Sequence, residues 1–324
     1  DQGPMSDTTG ICLLYMGGPK DLDSVKPFLS ALFADRDLIQ LPGGPLAPLL
    51  GKLIVHFRAP RVRGYYEEIG GGSPLLETTE QQARLLEQAL ATEGDFAVEV
   101  AMRYCAPRVD AALERLAERG ATRLVALPLY PHFSAATTGS SFKDLEGALA
   151  ARQSDWPLVK VESFHDHPGY LDALAGTVAQ ALEQADGDAT VIFSAHSLPV
   201  SFIQGGDPYQ RHVEATVNGV VDRLGLKEWR LAYQSRSGPV EWLGPNTLEL
   251  TEALIGQGRR RLVFVPVSFV SDHIETLHEL DIQLRERCMG WGAEAFFRAP
   301  TLGTSAAFIE ALKELTLSAC QPNE

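Results

Sequence analysis

Residues Gly120–Tyr130 read GATRLVALPLY, and residues Gly258–Ser268 read GRRRLVFVPVS. Each stretch opens on a helix-stopping glycine, passes through basic residues, runs into an apolar segment of strand length and meets a proline. In each half an earlier strand precedes this one after an intervening helix: AVEVAMRYCAP from Ala97 and RLAYQSRSGP from Arg230. The halves are therefore two copies of one βα layout. Working outward, Gly10–Met16, Leu158–Phe164 and Thr190–Ser194 are further β-branched, apolar runs. Helical-period stretches lie between the strands at Thr79–Ala91, Val109–Arg119, Gly169–Ala185, His212–Leu224 and Thr247–Gly256. Strand and helix in alternation specify parallel sheets. The expected fold is α/β, with two similar doubly wound Rossmann-like domains, each with a parallel sheet. The cleft between them would be lined by loops that follow strands, where such sheets hold ligands. The expected domains are 5–168 and 169–304, with the last helix, within 305–324, returning to pack on the first.

Composition narrows the function. A chain of 324 residues with 45% hydrophobic and 22% charged residues buries sizeable cores and is not disordered. The formal charge of −14, with basic residues scattered rather than clustered, argues against nucleic acid. Cys12, Cys105, Cys288 and Cys320 form no CxxC pair, so neither a disulfide framework nor a zinc ribbon is legible. No apolar run approaches the ~20 residues of a membrane span, and no signal peptide opens the chain, so a cytoplasmic location is predicted. Asp1–Pro4, ahead of Met5, read as an expression remnant.

The polar residues that follow strands carry the chemistry. FSAHSLP (Phe193–Pro199) sets His196 just past a strand's carboxyl end, and histidine is the side chain that accepts a proton near neutrality. In the second half's repeat, VSFVSDHIETLHELD (Val267–Asp281) crowds Asp272, His273, Glu275, His278, Glu279 and Asp281 into one helix start. Glu275 and Glu279, four apart, share a helical face. Acids in a first turn complement the helix dipole, but acids beyond it need another reason, such as guiding a divalent cation or relaying protons. The spacing matches no closed zinc site. YMGGP, EIGGGSP and HFSAATTGSS are Gly- and hydroxyl-rich but match neither the P-loop nor GxGxxG, and they read as tight loops open to a close backbone approach. Leu46–Phe57 (LAPLLGKLIVHF), after the LPGGP turn, is too short to span a bilayer and reads either as core or as an exposed amphipathic lip that suits a greasy ligand or a membrane surface.

Taken together, YMGGP, DLDSVKPFL, IGGGSP, YPHFSAATTGSS, FSAHSLP, GDPY, YQSRSGPVEWLGP and SDHIETLHELD resemble ferrochelatase, in order, from Gly10 to about Leu317. The resemblance implies two Rossmann-like domains with a tetrapyrrole between them. It implies catalysis by His196 and Glu275, which would also meet the metal, and it puts Glu275 across the porphyrin from His196. Porphyrin contacts fall on Met16, Arg58, Tyr66, Ser73, Arg103, Tyr104, Trp242 and Phe269. Arg58 and Arg103 would pair with propionates or with a pocket carboxylate, while Asp272, His273 and Glu279 would form a proton or metal route.

The implied reaction inserts ferrous iron into protoporphyrin IX with loss of two pyrrole protons. Ferrous iron is then a substrate, and no tightly bound cofactor is expected. Ala135 and Ala136 stand where a [2Fe-2S] cysteine occurs in some members, so no cluster is expected. Met16 stands where coproporphyrin III enzymes tend to have Tyr, which favours protoporphyrin IX. The partners implied are porphyrin and iron, with peripheral membrane contact through the 46–57 lip, in a monomer or homodimer. The alternatives are a coproporphyrin III enzyme, another tetrapyrrole chelatase, or a non-catalytic haem-binding protein on the same fold.

Overall fold

The computed structural model describes residues 8–39, 44–185 and 188–321. Residues 1–4, expected to be an expression remnant, and residues 41–43 of the LPGGP turn lie outside the described residues. The chain forms two compact units. One runs to Phe164 and is rejoined from Phe308 onward, and the other spans His165–Ala307.

The first unit contains β1 (Thr8–Tyr15), α1 (Val25–Ala34), α2 (Ala47–Glu68), α3 (Leu75–Leu90), β2 (Phe96–Met102), α4 (Val109–Glu118), β3 (Ala121–Pro128), α5 (Ser140–Ala151) and β4 (Leu158–Lys160). Its parallel sheet has the order β2-β1-β3-β4. Strand β1 is paired on both edges and buried along its whole length, which is why it reads as continuously apolar rather than alternating. The second unit contains α6 (Pro168–Ala185), β5 (Thr190–His196), α7 (Val200–Gln204), α8 (Tyr209–Leu224), β6 (Trp229–Gln234), α9 (Thr247–Gly256), β7 (Arg261–Pro266), α10 (Arg285–Gly290) and β8 (Ala295–Arg298). Its parallel sheet has the same topology, β6-β5-β7-β8. In α11 (Ala306–Cys320) the chain returns to the first unit, with Phe308 6.4 Å from Phe164 between ring centroids and Lys313 bonded to Glu93 at 2.7 Å.

The repeat is visible in the register. Pro128, ending β3, faces Leu14 of β1, and Pro266, ending β7, faces Ser194 of β5. In both units the residue after the proline then donates to the central strand: Leu129 N–H to the Leu14 carbonyl at 2.8 Å and Val267 N–H to that of Ser194 at 3.1 Å. Both strand ends lead into π-helical segments, Ala135–Gly139 in the first unit and Glu275–Leu284 in the second.

Two strand expectations differ from the structure. The run expected to be a strand through Phe164 keeps only Leu158–Lys160, because β4 is an edge strand. Beyond it the backbone bonds singly, Val161 to the Ala126 carbonyl and Phe164 to that of Pro131, instead of continuing the ladder. Strand β8, with sequence AFFR, was not anticipated because a run of four residues between turns lacks a readable period. No helix among the described residues is long and apolar enough to cross a membrane.

Candidate active site

His196 is the last residue of β5, where the central strand runs out of the sheet. Its backbone is fixed from two sides: its N–H donates to Ser268 Oγ at 3.2 Å, and its carbonyl accepts from the buried Tyr209 hydroxyl at 2.8 Å. Tyr209 and Ser268 are themselves 2.7 Å apart, which closes a ring of hydrogen bonds around the strand end. The imidazole is held by Nδ1, 2.7 Å from Glu275 Oε2. Among the described residues Nε2 has no hydrogen-bond partner. Phe269 stands edge-on to His196 at 6.4 Å and to His273 at 4.5 Å.

The 2.7 Å contact corrects one expectation. His196 and Glu275 do not face each other across a ring-sized gap; they are hydrogen-bonded partners on one side. The sheet dictates this, because β5 lies between β6 and β7, and the chain leaving β7 brings Glu275 to the end of β5.

Glu275 opens the π-helical segment, a widened helix that occurs mostly at functional sites. Its entry is built from side chains. The Thr276 hydroxyl accepts from the His273 N–H at 3.0 Å and lies 2.9 Å from Asp272 Oδ1. Arg298, from β8, pins the segment twice, meeting Asp272 at 3.1 Å and Asp281 through two bonds at 2.7 and 2.8 Å. Asp272, expected on the proton or metal route, is thus an anchor of the segment. His273 is buried, with neither ring nitrogen at hydrogen-bond geometry to a partner among the described residues, and its Nε2 lies 3.9 Å from Glu275 Oε1.

The dipeptide at the end of β6 reads the same segment from the other side. The buried Gln234 side chain accepts from Ser194 Oγ at 2.6 Å and donates to the Glu275 backbone carbonyl at 3.1 Å. The Ser235 N–H donates to Glu279 Oε1 at 2.8 Å, and the Ser235 hydroxyl lies 2.6 Å from Glu279 Oε2 and 2.8 Å from Glu275 Oε2.

These contacts set the protonation pattern. Burial alone would lower the pKa of His196, but the charge and hydrogen bond of Glu275, aided by Glu279, outweigh it and raise the value above 6.5. Burial would raise Glu275, yet His196, His273 and the Ser235 hydroxyl bring it down to about 2. Burial and the neighbouring Glu275 charge raise Glu279. Burial lowers the pKa of His273 despite the neighbouring Glu275 and Asp272 charges. A hydroxyl has one proton, so Ser235 cannot donate to both carboxylates. Its one proton serves one carboxylate at a time, so the two acids share a single hydroxyl donor while the Ser235 N–H serves Glu279 alone.

Comparison with known proteins places this arrangement. The ferrochelatase family model matches residues 8–319. This chain belongs to the ferrochelatase family. It is 47% identical over 313 residues to the ferrochelatase of Geotalea uraniireducens, an alignment covering 96% of this chain and 98% of that one. It is 45% identical over 317 residues to the ferrochelatase of a Synechocystis species, covering 95% and 81%. Among solved structures, the cobalt complex of the sirohydrochlorin chelatase SirB from Bacillus subtilis subspecies spizizenii shares the fold, with a TM-score of 0.57 at 11% identity over 96% of this chain and 95% of that one. CbiX, a terminal enzyme of sirohaem biosynthesis in denitrifying bacteria, does so at 0.52 and 14% identity, covering 97% and 100%. The family makes the chain a tetrapyrrole metal chelatase.

The expected porphyrin-contact residues of this ferrochelatase-family chain fall into two groups. In the second unit Phe269 flanks both histidines, and Trp242 is half-buried on a bridge to Pro199, with its buried indole N–H lacking a partner among the described residues. In the first unit Met16 follows β1, and its carbonyl accepts from the Tyr104 N–H at 3.1 Å. Ser73 is tied to that strand end, its N–H donating to the Pro19 carbonyl at 2.8 Å. The approach requires Gly72, where a Cβ would lie 2.3 Å from the Lys20 carbonyl oxygen. Tyr66 is buried at the end of α2, and Arg58 is exposed on that helix with its guanidinium 5.7 Å from the Phe33 ring centre. Of the two roles weighed for Arg103, the structure gives it the carboxylate. It meets buried Asp35 at 3.2 Å and donates to Ser140 at 2.9 Å, while Tyr104 donates to the same Asp35 at 2.7 Å.

The sequence alone does not single out Tyr209, Gln234, Ser235, Ser268 or Arg298. Four of these stand in the quoted stretches GDPY, YQSRSGPVEWLGP and VSFVSDHIETLHELD, but a Ser, Gln or Tyr there looks like any other residue until its partners are known.

Proposed function

We propose that this chain inserts ferrous iron into protoporphyrin IX, with His196 Nε2 accepting the pyrrole protons. The observation that carries the reading is the 2.7 Å bond from His196 Nδ1 to Glu275, which fixes the tautomer and leaves Nε2 as the base. Two protons leave the ring per turnover, but one imidazole accepts one at a time. The unbroken contacts from His196 through Glu275 and Ser235 to Glu279 supply an exit for each. Buried His273 beside Glu275, and Phe269 against both histidines, make the reacting centre partly apolar, which strengthens every charge within it. Iron keeps its oxidation state on insertion, so the reading needs no tightly bound redox cofactor and no [2Fe-2S] cluster. The porphyrin contacts assigned are Met16, Arg58, Tyr66, Ser73, Tyr104, Trp242 and Phe269, with Arg58, exposed on α2, the basic residue that would meet a propionate.

Anaerobic incubation with ferrous iron and each porphyrin tests this through loss of free-base fluorescence. Metal insertion with a higher kcat/KM for protoporphyrin IX than for coproporphyrin III is expected, because Met16 and the apolar lip suit the less charged ring. Tight haem binding without insertion into either ring would replace the enzyme by a carrier.

The lip supports peripheral contact with a lipid surface. Leu46, Leu49, Leu53 and Phe57 are 67, 67, 54 and 72% exposed and recur every three or four residues into α2, forming one apolar stripe. Replacing Leu49, Leu53 and Phe57 by Ser should release the protein from anionic vesicles in a sedimentation assay without changing its melting temperature. Unchanged sedimentation would discard the membrane reading. Leu50 and Ile54 are half-buried and serve the helix's inner face.

A further inference from the structure

We infer that Ser235 is a positioning residue that joins the Glu275 and Glu279 carboxylates into one unit, its backbone being held in a left-handed conformation for that purpose. The inference rests on the reading of this centre as the metal-inserting one. Ser235 has φ +66°, a region that residues with a Cβ rarely adopt and glycine enters freely. Among the described residues the only other non-glycine in it is Gln153. Conformation alone would favour glycine at 235, but glycine lacks the hydroxyl. That hydroxyl is hydrogen-bonded to both carboxylates, at 2.8 and 2.6 Å, and the N–H of the same residue donates to the second oxygen of Glu279 at 2.8 Å. The neighbouring Gln234 side chain meanwhile holds the backbone carbonyl of Glu275, so side chain and main chain of one acid are read by consecutive residues. Strain of this kind persists only where the surroundings over-determine it, and here the N–H and the hydroxyl of the strained residue are both bonded to the two acids. Without the hydroxyl, the two carboxylates lose their shared partner and repel.

The test separates strain from function. Ser235→Gly relieves the backbone and deletes the hydroxyl, while Ser235→Ala deletes the hydroxyl and keeps the strain. Both variants should lose at least about tenfold in kcat for insertion, with the KM for porphyrin unchanged, since the lost bonds are to charged groups. The Gly variant should melt at or above the parent temperature and the Ala variant below the Gly variant. In crystals of the Gly variant, the Glu279 carboxylate should swing away from Glu275. Parent-like kcat in the Gly variant, or carboxylates that stay in place, would overturn the inference. The crystallographic arm does not depend on turnover. If the parent itself inserts no metal, the proposed reaction falls while the positions of the carboxylates still decide the role of Ser235.

Discussion

Superimposing the two units by their prolines brings unlike residues onto like positions. Pro128 faces Leu14 and Pro266 faces Ser194, so two residues further on Met16 corresponds to His196. Ala101 and Ala232 face those same two residues, so Arg103–Tyr104 corresponds to Gln234–Ser235. In both units the dipeptide after the second strand is tied to an acid and to the π-helical region: Arg103 and Tyr104 hold Asp35, and Arg103 also meets Ser140 where α5 begins; Gln234 and Ser235 hold Glu275 and Glu279. The first unit spends its polar residues on one buried acid surrounded by donors. The second leaves a histidine and two acids sharing protons. A duplicated scaffold therefore supplies the same addresses, while the residue types at those addresses decide which copy does chemistry.

The largest expected effect comes from erasing the difference. His196→Met gives the second unit the first unit's residue and should cut metal insertion by roughly 10²- to 10⁴-fold, the usual contribution of a general base, while porphyrin binding persists. Turnover within a few-fold of the parent would remove His196 from the mechanism.

Next come the acids. Glu275→Gln should depress the maximal rate strongly with iron and zinc alike, because it removes the charge beside the base. Glu279→Gln should act more mildly and alter metal dependence, and the double variant should lose less than the product of the single losses, as groups acting as a unit do. Equal and independent losses would make the acidic row general electrostatics.

The pH profile sharpens the contrast further. Because Glu275 raises the pKa of His196, the neutral base appears only above 6.5, and activity should fall as pH drops through a value higher than a free histidine's. In Glu275→Gln that limb should move to lower pH; an unmoved limb would uncouple the two groups. The two groups stabilise the fold over different pH ranges. The His196 contribution is complete below 6.5 and lost as pH rises through its raised folded value, whereas that of Glu275 is complete above 4.5 and lost as pH falls towards about 2. The pair stabilises most between 4.5 and 6.5.

The smallest catalytic effect is expected in the first unit. Asp35→Asn leaves Arg103 only its longer 3.8 Å contact with Asp144 and should cost ~3 kcal/mol of stability by denaturant unfolding, with kcat changed less than in Glu275→Gln. A kcat loss equal to that of Glu275→Gln would bring Asp35 into the chemistry.

The sequence made the scaffold legible because β1 and β5, each paired on both edges, read as unbroken apolar runs, and because the Leu127-Pro128 and Val265-Pro266 strand ends repeat. His196 was legible for the same reason, since its place follows from the strand. The relation of His196 to Glu275 was not. Residue types four apart do not announce a π-helical segment, and a distance across 79 positions is set by tertiary packing. Arg298 was hidden in the same way, its partners Asp272 and Asp281 lying on a different element. A positive φ at Ser235 is invisible in a serine.

Pro128 and Pro266 have a consequence for how such a protein diverges. A residue without an N–H closes the ladder on its own side, and in each unit the next residue makes a single bond back to the central strand before the chain departs. Whatever follows that bond can be lengthened, widened or recharged without unpicking a rung of the sheet. One copy could thus acquire Glu275 and Glu279 while the other kept Ala135 to Gly139 in the corresponding stretch, and neither had to be refolded to do so. The strand-ending proline marks where inheritance stops constraining and chemistry becomes free to change.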